Sequence, residues 1–531
     1  MPQTSKQHDA ATRLLDRYSK LILVVSGVAV GSVFSFNLSA WLQPLLLLPF
    51  IALLYKPDNR STLRRYISSC ALFFIPFHAT VFVWFLDANL PGLIDVSPRI
   101  TTIALGTCLA IMAIVLSLAM LPIAYVAYAS AFRKPTARLV LLPAAWVVCE
   151  WLRSILFSVF LYGNQGSVGD YWNFGSLGLE LMDTPAKIMA PVVGMYGLTF
   201  ITVILSVILY NYFTKANSRY TLHTLSVLGL VIFFSVIWQI NLNSQPSNQR
   251  SASVLQQRDS VPKSGTNFII DNFSTEAKDI IVLPEYSDFF ELGYTQYAQD
   301  YIDNRLAPNG VGITVEADWL NQNNRYGTLI FRNDQKEIVA TQTKKLLIPT
   351  GEYMPYILTN FFKLIGKNEL NTEYAETRQL LKGTDPAVFK TKDLVIAPVA
   401  CSGILGRNIY RQLVNDGGQV LTNSASLVVF NGSKSYFKQS LQMARFHAIA
   451  NNRTYIQASK GAPAFVIDDN GNYIVKPGNV EDKFIDFNFA ATDKKTFYTN
   501  YGEWPLILSS LLIIISVGRN FKTRTKNRRY S

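Results

Sequence analysis

Hydrophobicity is spread so unevenly along this chain of 531 residues that a single globular body is excluded. Apolar runs crowd the first 240 residues and recur once near the end, while the stretch from about 245 to 500 has the mixed polarity of a water-facing domain. Candidate spans run Leu21–Phe36, Leu38–Tyr55, about 68–86, 101–130, 138–160, 186–213 and 221–240, with an eighth from Trp504 to about Gly518. At about 1.5 Å of helix per residue, those between 68 and 240 reach across a hydrocarbon core about 30 Å thick. Pro122 predicts a tilt or kink in the overlong 101–130 segment. The chain therefore divides into a membrane domain over 1–240 with about seven helices, an extramembrane domain over 241–503, and a closing helix with a basic tail over 504–531.

Charge supplies the orientation. The net charge of +13 is not a nucleic-acid footprint, because the basic residues sit in short segments beside apolar helices. Lys56, Arg60, Arg64 and Arg65 follow the second span, Arg133, Lys134 and Arg138 the fourth, and Lys215 and Arg219 the sixth. The connections after spans one and five carry none, and the one after span three has only Arg99. Both termini are expected inside and the domain between spans seven and eight outside, which in a bacterial inner membrane means a periplasmic domain. The polar, basic start, Met1 to Lys20, runs into two consecutive apolar segments without a small-residue cleavage site, and so reads as an uncleaved helical hairpin.

Cys70, Cys108 and Cys149 lie in apolar helices, so Cys401 is the one thiol of the extramembrane domain. No disulfide framework follows, and His8, His78, His223 and His447 are too scattered for a metal site, so no metal or cofactor is expected. Asn241 to about Gly265 reads as a linker rich in Ser, Gln, Asn and Gly. Beyond it, Ile280–Leu283, Thr328–Phe331, Leu394–Val399, Gln419–Thr422, Thr454–Gln457 and Ala464–Ile467 read as strands. A hairpin strand follows at Tyr473–Lys476, and 293–304 and 435–451 read as helices. The order predicts an α/β layered domain.

Three stretches of this domain carry groups with chemistry. Leu394 to Ala400 is an apolar, β-prone run that delivers Cys401 onto a Ser402-Gly403 turn, where a nucleophile sits; a buried core thiol is the competing reading. Asp279-Ile-Ile-Val-Leu-Pro-Glu285 puts a carboxylate just past a strand end, and Lys344-Lys345 precede Leu-Leu-Ile-Pro-Thr-Gly351-Glu352-Tyr353. Taken singly, a loop glutamate and a lysine pair read equally as solvated groups. Together a thiol, a carboxylate that takes its proton and a cation that holds developing negative charge are the parts of covalent acyl chemistry.

Glutamate, lysine and cysteine in that order, each beside an apolar strand, resemble the nitrilase (carbon-nitrogen hydrolase) superfamily. With seven spans before and one after, the whole chain resembles the apolipoprotein N-acyltransferase family. Trp146-Val-Val-Cys-Glu150-Trp151-Leu-Arg153 and Gly194-Met-Tyr196-Gly197-Leu-Thr-Phe200 match its membrane-domain patterns. Leu283-Pro284-Glu285, Lys344 to Tyr353, Asn423, and Gln439 to Arg445 follow it in order in the extramembrane part. The resemblance implies a nitrilase-like αββα sandwich on a polytopic α-helical membrane domain of about eight spans. It implies Cys401 as nucleophile, Glu285 as general base, Lys344, in preference to Lys345, as stabiliser of the oxyanion, and Glu352 in support. The implied partners are a membrane phospholipid as acyl donor and diacylglyceryl apolipoproteins as acceptors, with no nucleic acid, and the implied state is a monomer.

The chain also departs from the family. Cys401-Ser402-Gly403 stands where Cys-Tyr-Glu is usual, and Ser424-Ala-Ser-Leu-Val-Val-Phe430 replaces an acidic residue and a Trp-Phe pair. The Gly-Phe-Pro-Trp turn is absent around Phe157 to Gly163. Two other outcomes therefore stand beside the transferase, a membrane-anchored amidase resolved by water and a weakened paralogue that binds lipid or lipoprotein. Glu150 and Arg153, costly in lipid, read equally as structural and as substrate-binding groups. Tyr286, Phe289, Phe290, Tyr353, Met354, Tyr356, Ile357, Phe361 and Phe362 read equally as core and as lipid-facing.

Overall fold

The computed structural model describes residues 17–55, 62–88, 98–129, 135–214, 218–243, 248–259, 276–287, 300–321 and 324–528. Its N-terminal part is helical: α1 (Ser19–Ser35), α2 (Leu63–Val81), α3 (Pro98–Leu118), α4 (Pro122–Tyr128), α5 (Pro135–Phe160), α6 (Ala190–Phe213) and α7 (Ser218–Asn243). Four apolar stretches are long enough to cross a membrane, Leu105–Tyr128, Arg138–Phe160, Pro185–Phe213 and Leu222–Leu242. The expected count of about eight is thus met by four among the described residues. Ser19–Ser35, Ala40–Leu54 and Trp504–Ser516 are apolar but shorter, and α2 opens with Arg64 and Arg65. Proline explains part of the shortening: Pro44 and Pro49 stand in the first turns of two short helices, Gln43–Leu46 and Leu48–Leu54. Pro122 likewise separates α3 from α4, as the sequence predicts.

The strands are β1 (Asn248–Gln257), β2 (Lys278–Glu285), β3 (Leu306–Asn321), β4 (Asn324–Asn333), β5 (Ile338–Thr343), β6 (Phe389–Lys390), β7 (Val395–Ala400), β8 (Val420–Ser426), β9 (Tyr455–Lys460), β10 (Phe465–Ile467), β11 (Tyr473–Val475) and β12 (Lys483–Ala491). They join in the order β5-β4-β3-β2-β1-β9-β8-β7-β6, with β12 on β1 and β10 on β9. The path folds back on itself. Ile280, Val282, Val311, Ile313, Leu329 and Phe331 of one arm share a buried core with Ile396, Val420, Ile456 and Ala458 of the other. Phe331 of β4 stacks on Phe389 of β6 at 4.4 Å, although these strands lie near opposite ends of the path. Alternate residues face outward, Ile281 and Leu283 against Ile302 and Leu306, and Ala397, Val399 and Leu421 against α9 (Arg407–Asn415) and α10 (Lys434–Asn451). The result is an αββα sandwich.

One expectation needs correcting. Asn248–Gln257 lies inside the stretch read as a linker, yet it is the central strand, bonded to β2, β9 and β12. Its polarity hides its burial. Gln256 donates to the Asn479 and Glu481 carbonyls and accepts from the Ala464 amide, so the side chain keeps its polar groups paired although it is buried. The helix read at 293–304 falls largely outside the described residues.

Helix α10 seats the sandwich on the membrane domain. Lys438 donates to the last carbonyls of α1, at Val33 and, at 2.8 Å, at Phe36, and lies 3.3 Å from buried Glu180. Gln439 donates to the Val81 carbonyl at 2.8 Å, Gln442 and Arg445 both hold Asp183, and Ser433 donates to Asp87 at 2.7 Å. The Gln439 to Arg445 motif thus lines an interdomain contact. Burial pushes Glu180 up to about 7, against the pull of the Lys438 ammonium. In Lys438→Met the carboxylate keeps its burial and loses its partner, which costs about 3 kcal/mol at a pH of about 8. Because the ionised form is the one penalised, the loss shrinks as pH falls and Glu180 takes up a proton. Thermal melts of the detergent-solubilised variant at two pH values check both sign and size.

Candidate active site

The parallel strands β2, β7, β8 and β9 all end on the same side, so their carboxyl-terminal residues converge. Glu285 closes β2, Cys401 follows β7 and Lys344 follows β5, where its amide donates to the Gly327 carbonyl at 2.7 Å. The Lys344 ammonium donates to Glu285 Oε1 at 2.9 Å and to Glu352 Oε1 at 2.6 Å. The other oxygen of Glu352 accepts from the Ile348 amide at 2.8 Å, which fixes the Gly351-Glu352 turn. The Cys401 thiol neighbours the Glu285 carboxylate, whose acidity it affects, and donates to the Ser426 carbonyl at 3.5 Å. All four sequence-predicted residues are thus together, and all are buried.

The two lysines part company. Lys345 pairs with the exposed Asp385, whereas Lys344 points inward between two carboxylates. Burial alone would favour loss of the Lys344 proton; Glu285 and Glu352 override it and hold the ammonium well above the usual lysine range. Burial raises Glu285, opposed by the Lys344 charge. It also raises the Cys401 thiol, reinforced by Glu285, so at neutral pH the resting group is the thiol. The backbone is strained where the chemistry sits: Cys401 has φ +41° and Tyr286, directly after Glu285, φ +54°.

Of the other neighbours only Asn423 stands out in the sequence. Lys460, at the end of β9, donates to the Tyr286 carbonyl at 2.9 Å and so holds the strained residue. Asn423 donates to the Cys401 carbonyl at 3.3 Å, and His447 meets the Ile404 carbonyl at 2.7 Å behind the nucleophile turn. Lysine at a strand end before Gly461 was the readable hint for Lys460; a histidine inside a helix offers none.

Glu150 and Arg153 prove to be organisers of a loop. Glu150 accepts from Trp146, from the Leu177 amide at 3.0 Å and from Thr199, while Arg153 donates to the Gly175 carbonyl and Ser176. Of the aromatic and apolar residues after the turns, Tyr353, Met354 and Phe362 are buried and Tyr286 is half-buried. Tyr356, Ile357 and Phe361 are exposed, and Phe289 and Phe290 lie outside the described residues. The exposed ones ride on α8 (Tyr356–Leu364), whose start is tied to the end of α5 by Tyr356 N to Tyr162 O at 2.8 Å and Tyr353 Oη to Leu161 O at 2.8 Å.

The fold and the site together define a protein with helices long and apolar enough to cross a membrane and an αββα sandwich that gathers a thiol, two carboxylates and an ammonium. Residues 26–208 match the family model described as apolipoprotein N-acyltransferase N-terminal domain. An apolipoprotein N-acyltransferase of Haemophilus ducreyi is 22% identical over 399 residues, 71% of this chain and 74% of that protein. Apolipoprotein N-acyltransferase 2 of Treponema denticola is 22% identical over 453 residues, 77% of this chain and 82% of that one. A carbon-nitrogen hydrolase from Helicobacter pylori, 14% identical, superposes with a TM-score of 0.34 over 46% of this chain and 89% of its own. The chain is thus similar over most of its length to apolipoprotein N-acyltransferases, at identities low enough to mark it as divergent from them.

The family's usual glutamate two residues after the cysteine has no room here. A Cβ on Gly403 would lie 2.6 Å from Val399 Cβ, an atom fixed to its strand. Ser402 is buried with its hydroxyl on the Leu346 carbonyl, which leaves no space for an aromatic. Gly403→Glu is therefore expected to destabilise the protein by about 2 kcal/mol or more and to gain no activity. Thermal melts of Gly403→Ala, of Val399→Gly and of the two combined check the cause, since glycine at 399 removes the clashing Cβ and the double variant then loses less than the sum of the two single losses.

Proposed function

We propose that the chain is an N-acyltransferase that completes lipoprotein maturation through a thioester on Cys401. The observation that carries the reading is a thiol beside a buried carboxylate that is itself bonded to a buried ammonium. Glu285 takes the Cys401 proton as sulfur attacks the ester carbonyl carbon of a membrane phospholipid. Negative charge moves onto the carbonyl oxygen, where the Lys344 ammonium holds it. Collapse breaks the ester C–O bond, and the alkoxide of the lysophospholipid leaves with the proton from Glu285. The α-amino group of a diacylglyceryl-cysteine then attacks the thioester, gives a proton to the same carboxylate, and the thiolate leaves. Glu352 keeps Lys344 aimed between the two acids.

Lipid substrates fit the surroundings. Tyr356, Ile357, Phe361 and Leu364 expose apolar side chains on α8, beside the end of a membrane-spanning helix and directly after the turn that carries Glu352. The basic connections support eight spans, both termini in the cytoplasm and the sandwich in the periplasm of a bacterial inner membrane. We further assign a monomer and no role for nucleic acid.

Incubating the purified protein with phospholipid and no acceptor, followed by mass spectrometry, tests the scheme. A hydroxylamine-labile fatty-acyl adduct on Cys401 is expected, absent from Cys401→Ser and slowed at least about a hundredfold in Glu285→Ala and Lys344→Ala. Adduct formation in either alanine variant at the wild-type rate removes that residue from the scheme, and, once a diacylglyceryl-cysteine peptide is added, release of free fatty acid in place of acylated amine makes the protein an amidase-like hydrolase. The acid limb follows from Glu285. Its carboxylate must be ionised to act and is raised above 4.5, so the rate falls as pH drops through a value above the ordinary glutamate range. Lys344 stays protonated past 10.5, so it adds no alkaline limb below that.

A further inference from the structure

Arg407 is the sixth residue after Cys401, the first of α9, and is buried where the sandwich meets the membrane helices. Its guanidinium pairs with Asp170, from the segment between α5 and α6, and lies 2.8 Å from Glu503, which stands just before α11 (Trp504–Arg528). Glu503 also accepts from the amides of Met195 at 3.2 Å and Tyr196 at 3.1 Å. Those amides are free because α6 breaks at Gly194, whose φ of +62° departs from the helix. A Cβ there would lie 2.7 Å from Glu503 Oε2, so glycine also makes room for the carboxylate. Tyr196 completes the cluster, donating to Asp170 at 3.1 Å with its ring 4.6 Å from the Arg407 guanidinium.

The same turn is held at two more points. Asn173, from the Asp170 segment, donates to the Leu405 carbonyl at 3.3 Å. Farther along α9, Arg411 and Asn415 donate to the Thr499 carbonyl at 3.1 and 2.9 Å, just ahead of Glu503. The Cys401–Leu405 turn is thus clasped between its strand and the membrane domain.

We infer that Arg407, with Asp170 and Glu503, is a positioning residue that sets the nucleophile through the membrane helices, so that the reactivity of Cys401 depends on one carboxylate between α5 and α6 and another just before α11. The inference rests on the reading of Cys401 as nucleophile. A planar fork with two opposed carboxylates fixes both the position and the rotation of the turn, which a single lysine charge does not. Cys401 itself sits at positive φ, a conformation that persists only where the surroundings hold it.

The test uses the full chain in phospholipid vesicles, with the Cys401 acyl adduct as readout. Asp170→Asn, Arg407→Met and Glu503→Gln together remove every charge of the cluster, so no charge is left buried alone. The expected result is a normal melting temperature and an unchanged donor concentration at half rate, with an acylation rate constant lower by about tenfold or more, as for a nucleophile out of place. A wild-type rate constant, or a change confined to the half-rate concentration, overturns the inference. If the triple variant does not fold, Arg407→Lys carries the test: slower acylation at unchanged half-rate concentration supports the inference, and a wild-type rate overturns it. An adduct in the wild type that persists in Cys401→Ser overturns the reading of Cys401 and this inference with it, whereas equal rates in wild type and triple variant overturn the inference alone.

Discussion

A lysine ammonium buried between two carboxylates is the interaction from which the arrangement of this site follows. Such an ammonium is too costly to leave unpaired, and two acids around it carry one negative charge more than it balances. Burial raises Glu285 against the pull of Lys344 and keeps Cys401 as a neutral thiol, so the resting thiol adds no further negative charge beside the ammonium. In the proposed scheme the ammonium is then not quenched by the nucleophile before attack, and its field acts on the oxygen that becomes negative.

The geometry around that ammonium comes from topology. Parallel strands deliver Glu285, Cys401, Ser426 and Lys460 to one side of the sandwich, and a tight turn returns Glu352 to Lys344 within a few residues. Side chains from separate parts of the chain meet because strand direction is common to them, and each is held by backbone partners of its own. Gly403 and Ser402 show how close the fit is, since the turn that carries the thiol touches Val399 and Leu346 with no space left over.

What was legible in the sequence is what repeats locally. Apolar runs marked the helices, and Glu285, Lys344 and Cys401 stood out because each ends or follows an apolar strand. The order of these motifs carried the resemblance. Hidden features were of two kinds. The central strand β1 reads as a linker because Ser253, Gln256 and Gln257 are buried polar residues, and burial of a polar strand depends on partners far along the chain. Asp170, Arg407 and Glu503 are single charges hundreds of positions apart at the extremes, and nothing local says that they meet. The described helices long enough to cross are fewer than the apolar runs for a third reason, that prolines at 44 and 49 divide one run into helices shorter than its hydropathy suggests.

The two halves of the molecule are joined by polar groups. Apolar contact would slide along a helix surface at little cost, whereas Lys438 on the carbonyls of α1 and Arg407 between two acids have one register each. Lipid supplies no hydrogen bonds, so every such group must find its partner inside the protein, and this demand fixes the sandwich against the helices more strictly than its energy alone would. An acyl ester held by the bilayer can approach only from a fixed depth. In the proposed reaction a nucleophile serving such an ester must be set relative to the membrane helices as closely as to its own base, and a turn clasped from both sides satisfies the two requirements at once.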